Sequence, residues 1–341
     1  MNGTVLLTGT NGYIGRHVAL RLLDAGYRVR GSLRDPGRID ALRAALRPHL
    51  ARPGDVEALE AVALDLGRDD GWSEALEGVD ALIHTASPFP LVQPRNRAEI
   101  VEPAVGGTLR ALTAARAAGV SRVVLTSSVA AIIHAPARAG RTAYDEADWS
   151  DPDAPTATAY DASKTLAERA AWDFMAREGG GMTLSVVNPA LVLGPPIGDE
   201  WGTSVALISR LLQRKDPMLP NFGLPVVDVR DVAEAHLRAL ERTEAEGGRH
   251  ILADRFMWFP ELARALAHAF PERRIRTLRA PDMIIRLIGR FDPSVATIAP
   301  VLGRRADVSN TRAREVLGID FRSAEESLRA TAQALIDAGK V

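Results

Sequence analysis

Thr8-Gly9-Thr10-Asn11-Gly12-Tyr13-Ile14-Gly15 follows a strand-like run, Thr4 to Thr8, and opens an amphipathic stretch from Tyr13 to Ala25. In that setting Gly-x-x-Gly-x-x-Gly has a mechanical meaning. Gly9 permits a tight turn, Gly12 lets backbone approach a pyrophosphate with no Cβ in the way, and Gly15 lets the helix pack close to the sheet. The helix N-terminus then stabilises phosphate charge. Asn-Gly also makes an ordinary turn, but strand, turn and helix agree here. They point to a dinucleotide site built from Gly9, Asn11, Gly12, Tyr13, Ile14 and Gly15.

Outward from this turn, a strand pattern from Tyr27 to Leu33 completes a βαβ unit, and the alternation continues. Strands are expected at Ala61 to Leu64, Ala81 to His84, Arg122 to Ser127 and Leu184 to Asn188. Helices are expected at Ile39 to Leu46, Ser73 to Leu76, Ala98 to Ala118 and Tyr160 to Arg177. Six strands with helices between them imply an α/β chain: a Rossmann-type, doubly wound parallel sheet. After Pro189 the rhythm breaks at Gly194-Pro195-Pro196-Ile197-Gly198. Residues 1–189 are therefore read as the dinucleotide-binding domain, with 226–253 returning to it. Residues 190–225 and 254–341 are read as a smaller, discontinuous substrate-binding lobe.

Composition narrows the chemistry. The 42 basic and 43 acidic side chains leave a formal net charge of −1, so no overall field draws the chain to nucleic acid or an anionic membrane. There is no Cys, which excludes disulfides, thiolate metal sites and a Cys nucleophile. No apolar run approaches the length of a membrane span and the N-terminus lacks an export signal. A cytoplasmic protein, monomeric or homodimeric, with a small-molecule substrate is the expectation.

The second strand ends Arg30-Gly31-Ser32-Leu33-Arg34-Asp35. In this fold that end lies beside the adenosine ribose, where a carboxylate binds a 2′-hydroxyl and an Arg binds a 2′-phosphate. Arg34 favours NADP(H), while Asp35 just beyond leaves NAD(H) open.

Tyr160-Asp161-Ala162-Ser163-Lys164 sets a phenol and an ammonium four residues apart on one helix face. Lys is scarce, occurring only at positions 164, 215 and 340. A phenol is a poor acid–base group at neutral pH, and an adjacent ammonium lowers its pKa. A hydroxyl for the same volume is available at the carboxyl end of the fifth strand, Val123-Val124-Leu125-Thr126-Ser127-Ser128. Period-two alternation sends Ser127 and Ser128 to opposite faces; Ser128 is chosen on this ground together with the resemblance given next, with Ser127 or Thr126 left to satisfy the loop backbone.

The glycine turn, Ser128 and the Tyr160/Lys164 pair resemble the extended short-chain dehydrogenase/reductase family in order and spacing. Val29 to Pro36, His84-Thr85-Ala86-Ser87-Pro88, Tyr160 to Trp172 and Val187 to Pro195 look like the branch of dihydroflavonol reductases, cinnamoyl-CoA reductases and yeast methylglyoxal reductases. That resemblance implies reduction of an aldehyde or ketone, or the reverse oxidation, by hydride transfer. It implies that Ser128 holds the carbonyl oxygen, Tyr160 gives the proton, and Lys164 binds the nicotinamide ribose while depressing the Tyr pKa. It also places Asp65 and Leu66 beside the adenine, Thr85, Ala86 and Ser87 along the cofactor, and Pro189, Val192 and Ser204 near the nicotinamide. Ala104-Val105-Gly106-Gly107-Thr108 departs from the Asn-Val-x-Gly-Thr that many extended members carry.

Phe89, Ile133, Trp201, Leu207, Leu211, Met218, Leu219 and Phe222 are candidate pocket walls, although helical apolar spacing more often means core. Phe89, Ser128 and Tyr160 are assigned to substrate. No His/Asp constellation suggests a metal, and none is assigned. A hydroxysteroid dehydrogenase, a nucleotide-sugar epimerase or dehydratase, and a non-catalytic NADP sensor are the alternatives.

Overall fold

The computed structural model describes residues 2–87, 96–136 and 140–341. The chain alternates as the glycine turn foretells: β1 (Thr4–Thr8), α1 (Tyr13–Asp24), β2 (Arg28–Leu33), α2 (Ile39–Leu46), β3 (Leu59–Ala63), α3 (Trp72–Leu76), β4 (Ala81–His84), α4 (Ala98–Ala117), β5 (Arg122–Thr126), α5 (Ala159–Glu178) and β6 (Thr183–Pro189). Then come β7 (Leu191–Leu193), α6 (Thr203–Leu212), β8 (Gly223–Asp228), α7 (Val229–Glu241), β9 (Arg249–Leu252), β10 (Arg255–Trp258) and α8 (Phe259–Ala269). The tail holds α9 (Asp282–Ile288), α10 (Pro293–Ala296), α11 (Thr311–Val316) and α12 (Ala324–Asp337).

Seven strands form the large sheet in the order β3-β2-β1-β4-β5-β6-β9, and every pairing in it is parallel. This is the Rossmann-type doubly wound arrangement. Chain direction across the sheet reverses between β1 and β4, whose ends Thr8 and His84 lie side by side. In sheets of this kind ligands bind outside the strand ends at such a reversal.

Alternation along the central strands feeds two cores. Val5, Leu7, Ile83, Val124 and Val187 pack in the core that includes α1 and α7. Their neighbours Leu6, Leu82, Val123, Leu125 and Val186 pack in a second core with Trp72, Leu112 and Phe174 from α3, α4 and α5. Each fully buried Leu or Val contributes about 2 kcal/mol. Both strand faces are therefore committed, which fixes the register.

The expected return of 226–253 is made in part. β9 joins β6, with Val187 opposite His250, and α7 packs on α1. The segment around Val226 does not enter the large sheet: β8 pairs parallel with β7 and antiparallel with β10 in a separate three-stranded sheet. An apolar strand reads the same in either sheet, because its pattern reports burial and not its partner. α12 packs across α6, α8 and this small sheet. Among the described residues no helix is long and apolar enough to cross a membrane.

Candidate active site

The glycine turn forms a bare cradle at the switch point. Gly9 has φ +70°, and a Cβ there would stand 2.9 Å from Thr85 Oγ1 and 3.0 Å from the Ala86 backbone. Gly12 is extended, and its N–H donates to the Gly9 carbonyl at 2.9 Å. At Gly15 a Cβ would lie 2.1 Å from the Gly9 oxygen, so this glycine serves the approach of α1 to the turn itself and not, as expected, to the sheet. No side chain caps α1, which leaves the N–H groups of its first turn, Tyr13 and Ile14 included, available to an anion. A turn with glycine at its close-approach positions, leading into an uncapped helix, fits a pyrophosphate.

The side chains of Asn11 and Tyr13 are engaged elsewhere. Asn11 Oδ1 accepts from Arg16 Nη2 at 2.6 Å, while Arg16 Nη1 donates to the Ile197 carbonyl at 2.6 Å. Tyr13 Oη donates to the Gly194 carbonyl at 2.9 Å and His17 Nε2 bonds the Pro195 carbonyl at 3.0 Å. One face of α1 thus anchors the Gly194–Gly198 loop that follows β7. Burial holds the His17 imidazole down at about 4, so it is neutral.

At the end of β2, Ser32 Oγ accepts from the Gly9 N–H at 3.1 Å. Arg34 is exposed. Asp35 accepts from the Gly37 N–H at 3.0 Å, which turns its carboxylate into a local cap. Arg38, which the sequence reading passed over, lies one turn further on and pairs with Glu200 at 3.0 Å. After β3, Asp65 Oδ1 accepts from Gly67 N–H at 2.8 Å, and Leu66 packs against α4 where Gly107 has no side chain. At the end of β4, Thr85 Oγ1 donates to the Thr8 carbonyl at 2.6 Å and the Ala86 N–H donates to Thr8 Oγ1 at 3.2 Å. Ser87 is half-buried beside them, whereas Phe89 lies outside the described residues.

Tyr160 and Lys164 occupy the first turns of α5. Thr158 caps that helix in a reciprocal box with Asp161, the two exchanging side-chain and backbone hydrogen bonds, so the turn that carries Tyr160 is fixed. The Tyr160 phenol lies beside the Ser128 hydroxyl, which favours its charged form. Ser128 Oγ also accepts from the Ala130 N–H at 3.2 Å and donates to the Pro189 carbonyl at 3.4 Å. Lys164 Nζ is buried, 6.0 Å from the Tyr160 ring centre, and donates to the Thr126 carbonyl at 3.5 Å. The three expected side chains therefore converge at the carboxyl ends of β5 and β6. Ser127 points the other way, to Glu168, and Thr126 Oγ1 bonds His236 on α7 at 2.7 Å.

One expectation differs. The Tyr160 phenol is not acidified: burial pushes it up to about 12, against the lowering effect of the Ser128 hydrogen bond. The Lys164 ammonium faces the Thr126 carbonyl and does not offset that burial. Lys164 is itself pulled down to about 8 by burial, with Glu168 opposing. His84, fully buried and bonded through Nδ1 to Thr8 Oγ1 at 2.9 Å, is held at about 4 by burial and by Lys164.

Of the remaining assignments, Pro189 touches Ser128 through its carbonyl, Val192 is buried in β7, and Ser204 sits half-buried in the first turn of α6. Leu211, Leu219 and Ile133 are buried in the core that α1 and α7 share; Trp201 and Leu207 pack partly buried against it. The sequence reading missed Glu168 and Asn188. Asn188 Nδ2 donates to the Glu168 carboxylate at 2.8 Å and to the Ser128 carbonyl at 3.2 Å. The one signal for Glu168 was its place four residues after Lys164.

Comparison with known proteins bears on this site directly. Residues 5–253 match the model of the "NAD dependent epimerase/dehydratase family". The chain belongs to that family, the extended short-chain dehydrogenases/reductases. It is 32% identical to cinnamoyl-CoA reductase CAD2 of Medicago truncatula, over 98% of this chain and 96% of the relative. It is 34% identical to ketoreductase azaE of Aspergillus niger, with 93% of each covered. Yeast methylglyoxal/isovaleraldehyde reductase Gre2, solved with NADPH, superposes with a TM-score of 0.80 at 26% identity, covering 99% of this chain and 100% of Gre2. These relatives are reductases, and this extended family member is an oxidoreductase.

Proposed function

We propose that the protein reduces an aldehyde or ketone of small to medium size to the alcohol with NADPH, or runs the reverse oxidation. The observation that carries this reading is the convergence of Tyr160, Ser128 and Lys164 at the carboxyl ends of β5 and β6, with Lys164 Nζ 6.0 Å from the Tyr160 ring centre. Bound NADPH supplies the hydride. The Gly9–Gly15 turn and the first turn of α1 hold the pyrophosphate, Arg34 holds the 2′-phosphate, and Asp65, Leu66, Thr85, Ala86, Ser87, Pro189, Val192 and Ser204 line its path. Asp35 is occupied as a cap, which removes the competing claim of a ribose carboxylate at that position.

In this reading Ser128 Oγ and Tyr160 Oη hold the substrate oxygen. As negative charge gathers there, Tyr160 Oη passes its proton to it. A phenol at about 12 is fully protonated at neutral pH and remains a better acid than an aliphatic alcohol, so the donation runs downhill. The Lys164 ammonium binds the nicotinamide ribose and so orients the ring toward the same oxygen. Residues 1–189 together with β9 form the coenzyme domain, and 190–225 with 254–341 form the substrate lobe.

Purified protein is mixed with NADPH and a panel of aldehydes, ketones and steroids. Consumption of NADPH supports the reading; tight NADPH binding with no turnover across the panel supports a regulatory sensor instead. Tyr160→Phe is expected to lower kcat by about 10²–10⁴-fold with an unchanged Kd for NADPH. Retained turnover would remove Tyr160 from the mechanism.

A further inference from the structure

Glu168 is 1% exposed and lies one helical turn beyond Lys164 on α5. A carboxylate at that depth persists only when its oxygens are met by donors, and here they come from four elements or turns. Ser127 Oγ donates from the end of β5 and Asn188 Nδ2 from β6 at 2.8 Å. Trp172 Nε1 donates at 3.3 Å, and Arg249 on β9 donates through Nε at 2.5 Å and Nη2 at 3.3 Å. Arg249 is itself fixed by stacking 3.8 Å over the Trp149 ring and by donating to the Asp148 and Glu146 carbonyls. Asn188 completes the link by bonding the Ser128 carbonyl as well.

The groups that meet this carboxylate are thus the ones that carry the reacting side chains. Ser127 lies between Thr126, whose carbonyl accepts from Lys164, and Ser128, which meets Tyr160. We propose that Glu168 is the positioning residue of the site: pinned by Ser127, Asn188, Trp172 and Arg249 one helical turn beyond Lys164, its carboxylate holds the end of β5 so that Ser128 faces Tyr160 and Lys164 meets the Thr126 carbonyl. This rests on the reading of Tyr160, Lys164 and Ser128 given above.

Without the Glu168 charge, burial alone acts on Lys164, and the ammonium loses its proton at lower pH. The other titratable groups facing the pair do not change state between about pH 6 and 10. His84 on β4 is already neutral and the Tyr160 phenol stays protonated.

The test is the pH dependence of kcat for the wild-type enzyme, Glu168→Gln and Glu168→Gln/Arg249→Met. The double variant leaves no unpaired guanidinium in the core and carries the experiment if the single one fails to fold. The alkaline fall in kcat is expected to move down by about one pH unit in both, so that kcat at a pH above the fall drops about tenfold relative to wild type. Glu168→Asp, which keeps the charge, is expected to return the fall toward its original pH. Folded Gln variants with the wild-type pH profile and only a lower melting temperature would reduce Glu168 to packing and overturn the proposal. Loss of that shift while Tyr160→Phe is inactive sinks this inference alone; an active Tyr160→Phe sinks the reading beneath it.

Discussion

Arg34 shows how much one side chain decides. It stands just past the carboxyl end of β2, exposed like its acidic neighbour Asp35, whose Oδ1 accepts from the Gly37 amide. A guanidinium in that position forms paired hydrogen bonds with a phosphate and gains nothing from a bare 2′-hydroxyl. Arg34→Ser is therefore expected to raise the KM for NADPH about tenfold or more and to leave that for NADH within about twofold, as steady-state kinetics with each coenzyme will read. Equal losses with both coenzymes would mean that Arg34 does not read the 2′ position. At this scale the sequence was informative where spacing is local. Tyr160 and Lys164 share a helix face, and alternation along β5 separated Ser128 from Ser127 correctly in direction. It was silent on the pairing of Glu168 with Arg249, because the two stand 81 positions apart and no local period joins a helix to a distant strand.

Among the elements, α1 and α4 illustrate what a glycine is for. Gly15 in α1 faces the Gly9 carbonyl so closely that an added methyl would overlap it, whereas a methyl at Gly106 in α4 would meet nothing within 4 Å. Gly15→Ala is expected to cost about 2 kcal/mol or more in urea unfolding and to weaken NADPH binding, since the turn must yield. Gly106→Ala is expected to stabilise by about 0.5–1 kcal/mol, from helix propensity and a less flexible unfolded chain. Opposite signs at two helical glycines check that the cradle, not helix formation, accounts for the first. The strands and helices up to β6 were legible because glycine turns and switching periodicity mark them. β8 was legible as a strand but not in its partner, since the choice between two sheets rests on contacts with β7 and β10 that no pattern within the segment encodes.

Across the whole molecule, four histidines, His17, His84, His236 and His250, are buried and held at about 4, in each case chiefly by burial. Their folded values lie below the unfolded value near about 6.5, so the unfolded chain binds more protons between these limits and stability falls as pH falls through that window. Each contributes up to about 1.4 kcal/mol per pH unit. Urea midpoints measured from pH 7 to pH 4 are expected to drop steeply below about 6.5, and a flat profile would contradict the burial of these rings. The division of β5 between two cores carries a last consequence. Deleting or inserting a single residue in that strand would rotate every side chain to the opposite layer, presenting Ser127 to the reaction and driving Ser128 toward the acid beneath. The length of this strand is thus frozen, because a change in it would exchange the two layers that it feeds.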